Sequence, residues 1–214
     1  MAMYKEVENM NNEGILIILS GPSGSGKGTV IKKLCEMNKN IRVSVSCTTR
    51  EPRPKEIDGI SYYFKTEEEF RRLVNEDMFF EYAEVFGHAS YGTLKTEIEQ
   101  TKKGNDVLLE IDVQGAMMAK KRAKDALMIF IAPPSMEELR RRLTRRQTEK
   151  KAVIERRIMT AYDEIAMMDQ YDYIVLNDVV EHAARKIRYI IEAEKTKLFG
   201  KQFARKLQAE LKEE

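Results

Sequence analysis

Nine residues, Gly21-Pro22-Ser23-Gly24-Ser25-Gly26-Lys27-Gly28-Thr29, constrain this chain more than any other stretch. They follow the apolar run Ile15-Leu16-Ile17-Ile18-Leu19, which reads as a buried parallel strand. Val30, Ile31 and Leu34 come next at helical spacing, so the order is strand, glycine turn, helix. That order suits a phosphate-binding loop. Glycines let the backbone turn tightly and aim N–H groups inward, and the helix start adds partial positive charge. Lys27 can then reach the outer phosphates of a nucleotide. Gly28 follows it where many such loops carry Ser or Thr, so the hydroxyl that usually sits on magnesium is absent or displaced to Thr29.

The 214 residues suit one α/β domain with smaller inserted parts, and 43% hydrophobic content is enough for a core. A net charge of +2 gives no case for general attraction to nucleic acid or membrane. Cys35 and Cys47 form neither a zinc spacing nor a disulfide framework. Residues 1–13 are polar and acidic without an apolar signal region, and no run approaches a membrane span. The setting expected from these features is reducing and cytoplasmic.

Residues 1–13 read as a loose leader and Ile41 to Val45 as a short strand. Pro52 and Pro54 make the stretch from Ser46 to Pro54 read as irregular. The aromatic-rich region 46–95 reads as a small α+β insertion. It holds short strands at Tyr62 to Phe64 and Phe79 to Val85, and a helix from Thr66 to Asn75 with a Thr66–Glu69 capping box. The larger sheet resumes at Asp106 to Asp112, then a helix over 114–124, a strand from Ala126 to Ile131 and a helix opened by a Ser135–Glu138 capping box. A last strand, Tyr173 to Leu176, leads into an amphipathic helix with Ala183, Ile187, Ile190 and Ile191 on one face. Residues 199–214 form a charged tail, read as solvated helix or frayed. The alternation predicts a parallel sheet covered by helices on both faces, with ligands beyond the carboxyl ends of its strands.

Arg50 and Arg53 flank a proline turn that can aim two guanidinium forks at one phosphate, although two solvated loop arginines fit the same residues. Glu81 interrupts an apolar stretch, where a carboxylate needs a partner unless it faces outward. Glu110 and Asp112, two apart at a strand's end, are expected to point the same way. The run Arg140-Arg141-Arg142-Leu143-Thr144-Arg145-Arg146, with Arg156 and Arg157 beyond it, reads as positive charge for phosphoryl transfer, a solvated basic helix or a nucleic-acid patch. By its residues alone Asn177-Asp178 reads as a plain strand-to-helix turn with Asp178 as a helix cap.

With Ser44-Val45-Ser46-Cys47-Thr48-Thr49-Arg50-Glu51-Pro52-Arg53 and Glu110-Ile111-Asp112-Val113-Gln114-Gly115 between the phosphate loop and the basic 140s, the chain resembles a guanylate kinase from about Gly14 to Lys197. The resemblance implies the P-loop nucleoside monophosphate kinase fold: a core of 14–45 and 96–198, a GMP-binding insertion at 46–95 and a helical lid at about 135–160. It implies ATP-dependent phosphorylation of GMP, with dGMP as a second acceptor, in purine nucleotide metabolism. ATP serves as co-substrate with Mg2+. On this reading Gly21 to Thr29 and Asn177 bind ATP, and Lys27, Arg142, Arg146 and Arg157 are catalytic. Arg50, Arg53, Tyr62 and Tyr91 hold the GMP phosphate, and Glu81, Ser46 and Thr93 read guanine. A carboxylate accepting N1–H and the 2-amino group, beside a hydroxyl donating to O6, leaves adenine badly paired. Glu110 and Asp112 complete the acceptor side, with Glu110 toward hydrated magnesium, held mostly by phosphates and water. Two departures stand out: Arg145 replaces a small residue, and Lys150-Lys151 replace acidic ones. Two other readings use the same scaffold: a non-catalytic binding module, which expects a degraded phosphate loop, and a kinase for a different small phosphate acceptor.

Overall fold

In the computed structural model the run after Gly14 is a central strand, β1 (Leu16–Ser20), buried from Ile17 onward, and the structure describes residues 14–85, 89–144 and 151–213. Five parallel strands lie in the order β2-β7-β1-β8-β9, with β2 at Ile41–Val43, β7 at Asp106–Glu110, β8 at Leu127–Ala132 and β9 at Tyr173–Leu176. Strand side chains alternate between faces, and the core divides accordingly. Ile17 and Leu19 pack with Leu108, Ile129 and Val175 against Val30 and Leu34 of α1 (Lys27–Met37) and Ala184 and Ile187 of the C-terminal helix. Ile18 packs with Val107, Leu109 and Phe130 on the opposite face. Each buried Ile or Leu contributes about 1.5–3 kcal/mol, so this strand fixes both layers.

The second sheet, β4-β3-β6-β5, is mixed. It comprises β3 (Cys47–Thr48), β4 (Tyr63–Phe64), β5 (Phe79–Val85) and β6 (Ala89–Leu94). Helix α2 (Glu67–Asn75) crosses it with the expected reciprocal Thr66–Glu69 capping box, and Phe70 stacks on Phe79 at 4.5 Å between centroids. Helical turn α3 (Lys95–Ile98) and a 3-10 segment (Glu99–Lys103) return the chain to β7. Next come α4 (Val113–Arg122), α5 (Met136–Thr144), α6 (Lys151–Ala166) and α7 (Val180–Glu213). Leu139 and Leu143 of α5 pack on Ile158 and Ala161 of α6.

Several local expectations change. Ser46 to Pro54 is not wholly irregular: Cys47 and Thr48 form the short strand β3, because both prolines lie beyond it. Strand β2 ends at Val43, where Ser44 still donates to Leu108 O at 3.0 Å but the Val45 N–H turns to Glu97 at 3.3 Å. The Ser135 box forms its first half, Glu138 N–H to Ser135 Oγ at 3.1 Å, while the Glu138 carboxylate is taken by Arg141 and Arg142. Asp178 is not the cap of α7; Val179, one residue later, precedes the helix, and its N–H donates to Asp178 at 2.7 Å. Residues 199–213 continue α7 without a break.

A partly buried ion pair joins the sheet to this helix. Asp106, 2% exposed, accepts from Ile15 N–H at 3.2 Å and from Lys195 Nζ at 2.8 Å. Asp106→Ala leaves both donors unpaired and is expected to cost about 2–4 kcal/mol in urea unfolding. A loss under about 0.5 kcal/mol would show the pair to be idle.

Candidate functional site

The phosphate loop lies at the carboxyl end of β1, as a ligand-binding crevice of a parallel sheet requires. Gly26 takes φ 91° and stands where a Cβ would lie 2.5 Å from Asn177 Nδ2, so both conformation and space demand glycine. The loop is held by its carbonyls. Lys27 Nζ donates to Gly21 O at 2.5 Å and Pro22 O at 3.3 Å, and Asn177 Nδ2 to Ser25 O at 2.7 Å. Arg142 donates to Ser25 O and Asn177 O, both at 3.3 Å, with Nε on Glu138 at 2.7 Å. Arg157 donates to Ser23 Oγ at 2.6 Å. Around these groups lies a cleft of about 610 Å³, lined by Gly26, Lys27, Glu110, Arg142, Asn177 and Asp178 among others. Arg146 and Arg145 lie outside the described residues.

Burial lowers the pKa of Lys27, while Glu110, Glu164 and Asp112 raise it and favour the ammonium form. Glu110 sits at the cleft mouth, its carboxylate 3.8 Å from where a Cβ on Gly28 would stand. Crowding by protein raises its pKa, and Lys27 opposes this. Asp112 does not continue the strand beside it. The strand ends at Glu110, and Asp112 is the N-cap of α4, accepting the Gly115 N–H at 2.8 Å. The two carboxylates therefore serve different neighbours, which corrects the expectation that they point alike.

On the small sheet, Glu81 and Thr93 are register partners, and Thr93 Oγ1 donates to Glu81 Oε1 at 2.7 Å. Glu81 is 4% exposed, so burial raises its pKa; the Thr93 hydrogen bond lowers it and Asp112 raises it. It faces inward, not out from the strand. Gly115 of α4 borders the same carboxylate, and a Cβ there would meet Glu81 Oε2 at 2.8 Å. Ser46 precedes β3, and its carbonyl accepts the Tyr63 N–H at 2.9 Å.

Arg50, Tyr62 and Tyr91 do converge. Arg50 lies 5.4 Å over the Tyr62 ring, and the Tyr62 and Tyr91 rings meet edge-on at 6.0 Å. Glu56 grips Arg50 with two 3.0 Å hydrogen bonds and accepts the Arg53 N–H at 2.7 Å. Arg53 itself is exposed. Sequence reasoning missed Glu56, which stands in a polar turn without periodicity. It also missed Glu164, although seven-residue spacing from Arg157 on α6 puts the two on one helical face. Burial pushes Glu164 up to about 7, with Lys27 opposing and Asp112 adding to the shift.

That shift fixes a pH dependence. The folded protein keeps on Glu164 a proton that the unfolded chain releases near 4.5, so a destabilisation grows from about pH 4.5 and is complete above about 7. Glu164→Gln should therefore raise Tm at pH 8 by several degrees and leave it nearly unchanged at pH 4. Equal shifts at both values would remove the carboxylate as the cause.

A phosphate-loop cleft flanked by arginines, next to a sheet with an inward carboxylate and an Arg–Tyr cluster, can hold two phosphorylated ligands. Comparisons with known proteins agree. The sequence model of the family described as guanylate kinase matches residues 13–194. A curated guanylate kinase of Caldanaerobacter subterraneus subsp. tengcongensis is 48% identical over 191 residues, covering 89% of this chain and 92% of the relative. One from Clostridium tetani is 50% identical over 187 residues, covering 87% and 89%. The crystal structure of guanylate kinase from Anaplasma phagocytophilum superposes with a TM-score of 0.72 at 39% identity, covering 86% and 87%. On fold, site and sequence together, the chain belongs to the guanylate kinase family.

Proposed function

We propose that this chain is an ATP:GMP phosphotransferase and that its insertion selects guanine through Glu81. The observation that carries the base reading is the buried Glu81–Thr93 pair, because a carboxylate so enclosed has little water to satisfy its remaining lone pairs. Guanine N1–H and its 2-amino group supply two donors in one plane. Adenine offers an acceptor at N1 and leaves the carboxylate unpaired, a penalty of the kind that separates close analogues strongly. Ser46 supplies the hydroxyl for O6, while the Thr93 hydroxyl, its proton donated to Glu81 Oε1, orients that carboxylate and keeps only acceptor lone pairs for the base. Arg50, Tyr62, Tyr91 and Arg53 take the GMP phosphate, with Asp112 on the base side.

A GMP phosphate oxygen attacks the γ-phosphorus of ATP, the bond to the β–γ bridging oxygen breaks, and ADP departs. The nucleophile is already anionic, so no general base is needed; His182 and His88 have no part. The protein contributes position and charge. Gly21 to Thr29 cradle the ATP phosphates, with Lys27 swinging from the Gly21 carbonyl onto them. Arg142, Arg146 and Arg157 spread the charge that gathers on the equatorial oxygens. Asn177 supports ATP by holding Ser25, and its place in the cleft leaves it beside the nucleotide.

Magnesium fits this site as an ion held chiefly by phosphates and water. Among the described residues there is no cluster of three His, Cys, Asp or Glu to cage a metal, and Glu110 is the carboxylate facing the hydroxyl-free position 28. When bound, Mg2+ neutralises phosphate charge in the transition state. Among the described residues no helix is long and apolar enough to cross a membrane.

Coupled ADP release with GMP, AMP, UMP and dTMP offered separately tests the reading. Turnover is expected with GMP and not with the others, and Lys27→Ala should lower it by at least about a hundredfold. Turnover with another acceptor would remove the roles given to Glu81 and Ser46. Gly115→Ala drives a methyl against the Glu81 carboxylate and should raise KM for GMP about tenfold or more with little change in KM for ATP. An unchanged KM for GMP would place the base elsewhere.

A further inference from the structure

Strand β5 breaks its own alternation at the residue that matters most. Phe79 is buried with Phe70 of α2, and Leu94 packs against them. Phe80 faces the other way and packs with Val113 and Ala116 of α4. Regular alternation would return Glu81 to the α2 side, beside Phe79. It faces α4 instead, where a Cβ on Gly115 would meet Glu81 Oε2 at 2.8 Å. The register explains this. Phe79 opposes Leu94 and Glu81 opposes Thr93, so two steps along β5 match one along β6, with a bulge between Phe79 and Glu81. Alternation resumes at Tyr82, whose ring lies 6.0 Å from that of Phe79 and 6.4 Å from that of Phe70. The bulge is what turns Glu81 from the α2 side to the side where Thr93 and α4 enclose it.

A bulge disrupts the ladder, so the backbone there needs another partner. Arg122, the last residue of α4, donates Nη1 to the Phe79 carbonyl at 2.5 Å. Its Nη2 lies 4.0 Å from Asp77, which Lys95 also holds, at 2.6 Å. One helix thus borders the Glu81 carboxylate through Gly115 in its first turn and grips the bulge from two turns further on. We propose that Arg122 is a positioning residue for base selection: by holding the bulged backbone at Phe79 it keeps the Glu81 carboxylate aimed at the base. The proposal rests on the reading of Glu81 as the acceptor for guanine. Two donors in one plane need the carboxylate in that plane, and a tilt that one hydrogen bond tolerates breaks the second. The charge of Arg122 also favours the ionised form of Glu81, against the effect of burial. The Arg122 side chain is 45% exposed, so shortening or neutralising it opens no cavity in the core.

Steady-state kinetics with GMP and ATP, together with calorimetric titration with GMP and with IMP, test this on the full chain. Arg122→Met keeps most of the side chain's length and removes its donors and its charge. It should raise KM for GMP about tenfold, the loss of one hydrogen bond from a charged donor, while KM for ATP stays within about twofold. Its preference for GMP over IMP should fall about fivefold, because IMP offers the carboxylate only N1–H and has no second bond to lose. Arg122→Lys restores a charged donor and should bring both quantities back to within about twofold of the wild type. An unchanged KM for GMP in Arg122→Met, an equal rise in both KM values, an intact preference for GMP, or no rescue by Lys would overturn the proposal. Equal binding of GMP and IMP by the wild type would instead overturn the guanine reading beneath it.

Discussion

A loop built to receive phosphates must keep its N–H groups pointed at the ligand, so the protein holds it from the other side. Here that constraint organises the molecule. The carbonyl of Ser25 is gripped by Asn177, from the end of β9, and by Arg142, from α5. The carbonyl of Gly21 is gripped by Lys27. Ser23 is gripped from α6 through Arg157. The end of β9, α5 and α6 thereby meet at nine residues of backbone. The glycine at position 26 is where this becomes tightest, since Asn177 occupies the space of any side chain.

The proposed acceptor side solves the opposite problem. It buries charge and keeps that charge partnered. Glu81 lies in the small sheet with Thr93, and Asp112 caps α4 near it. Arg50 is held by Glu56, so the guanidinium proposed to take the GMP phosphate is already paired in the free protein. On the proposed reading, a GMP phosphate takes the remaining edge of Arg50 or displaces Glu56, and the guanidinium has an anionic partner in both cases.

Much of this was legible in the sequence because it depends on local chemistry. The apolar run 15–19, the glycine spacing and Lys27 define strand, turn and helix without reference to distant residues. The Thr66–Glu69 box could be read for the same reason, its two halves lying within one turn. The failures share a cause too. Ser135–Glu138 has the same pattern, but two arginines downstream compete for the carboxylate. Asp112 has strand spacing from Glu110, yet Gly115 offers it a backbone N–H and makes it a cap. Glu56 and Glu164 owe their positions to tertiary packing, which periodicity does not encode; only the seven-residue step from Arg157 hinted at the latter.

The account centres on one carboxylate reading two donors of a base, and ligand discrimination by binding tests it most directly. Titration of the protein with GMP, IMP and AMP changes the base while leaving ribose and phosphate alike. IMP keeps N1–H but lacks the 2-amino group, and AMP presents an acceptor at N1. The account predicts GMP tightest, IMP weaker by about tenfold or more and AMP weaker still. Equal affinity for GMP and IMP, or measurable preference for AMP, would contradict it.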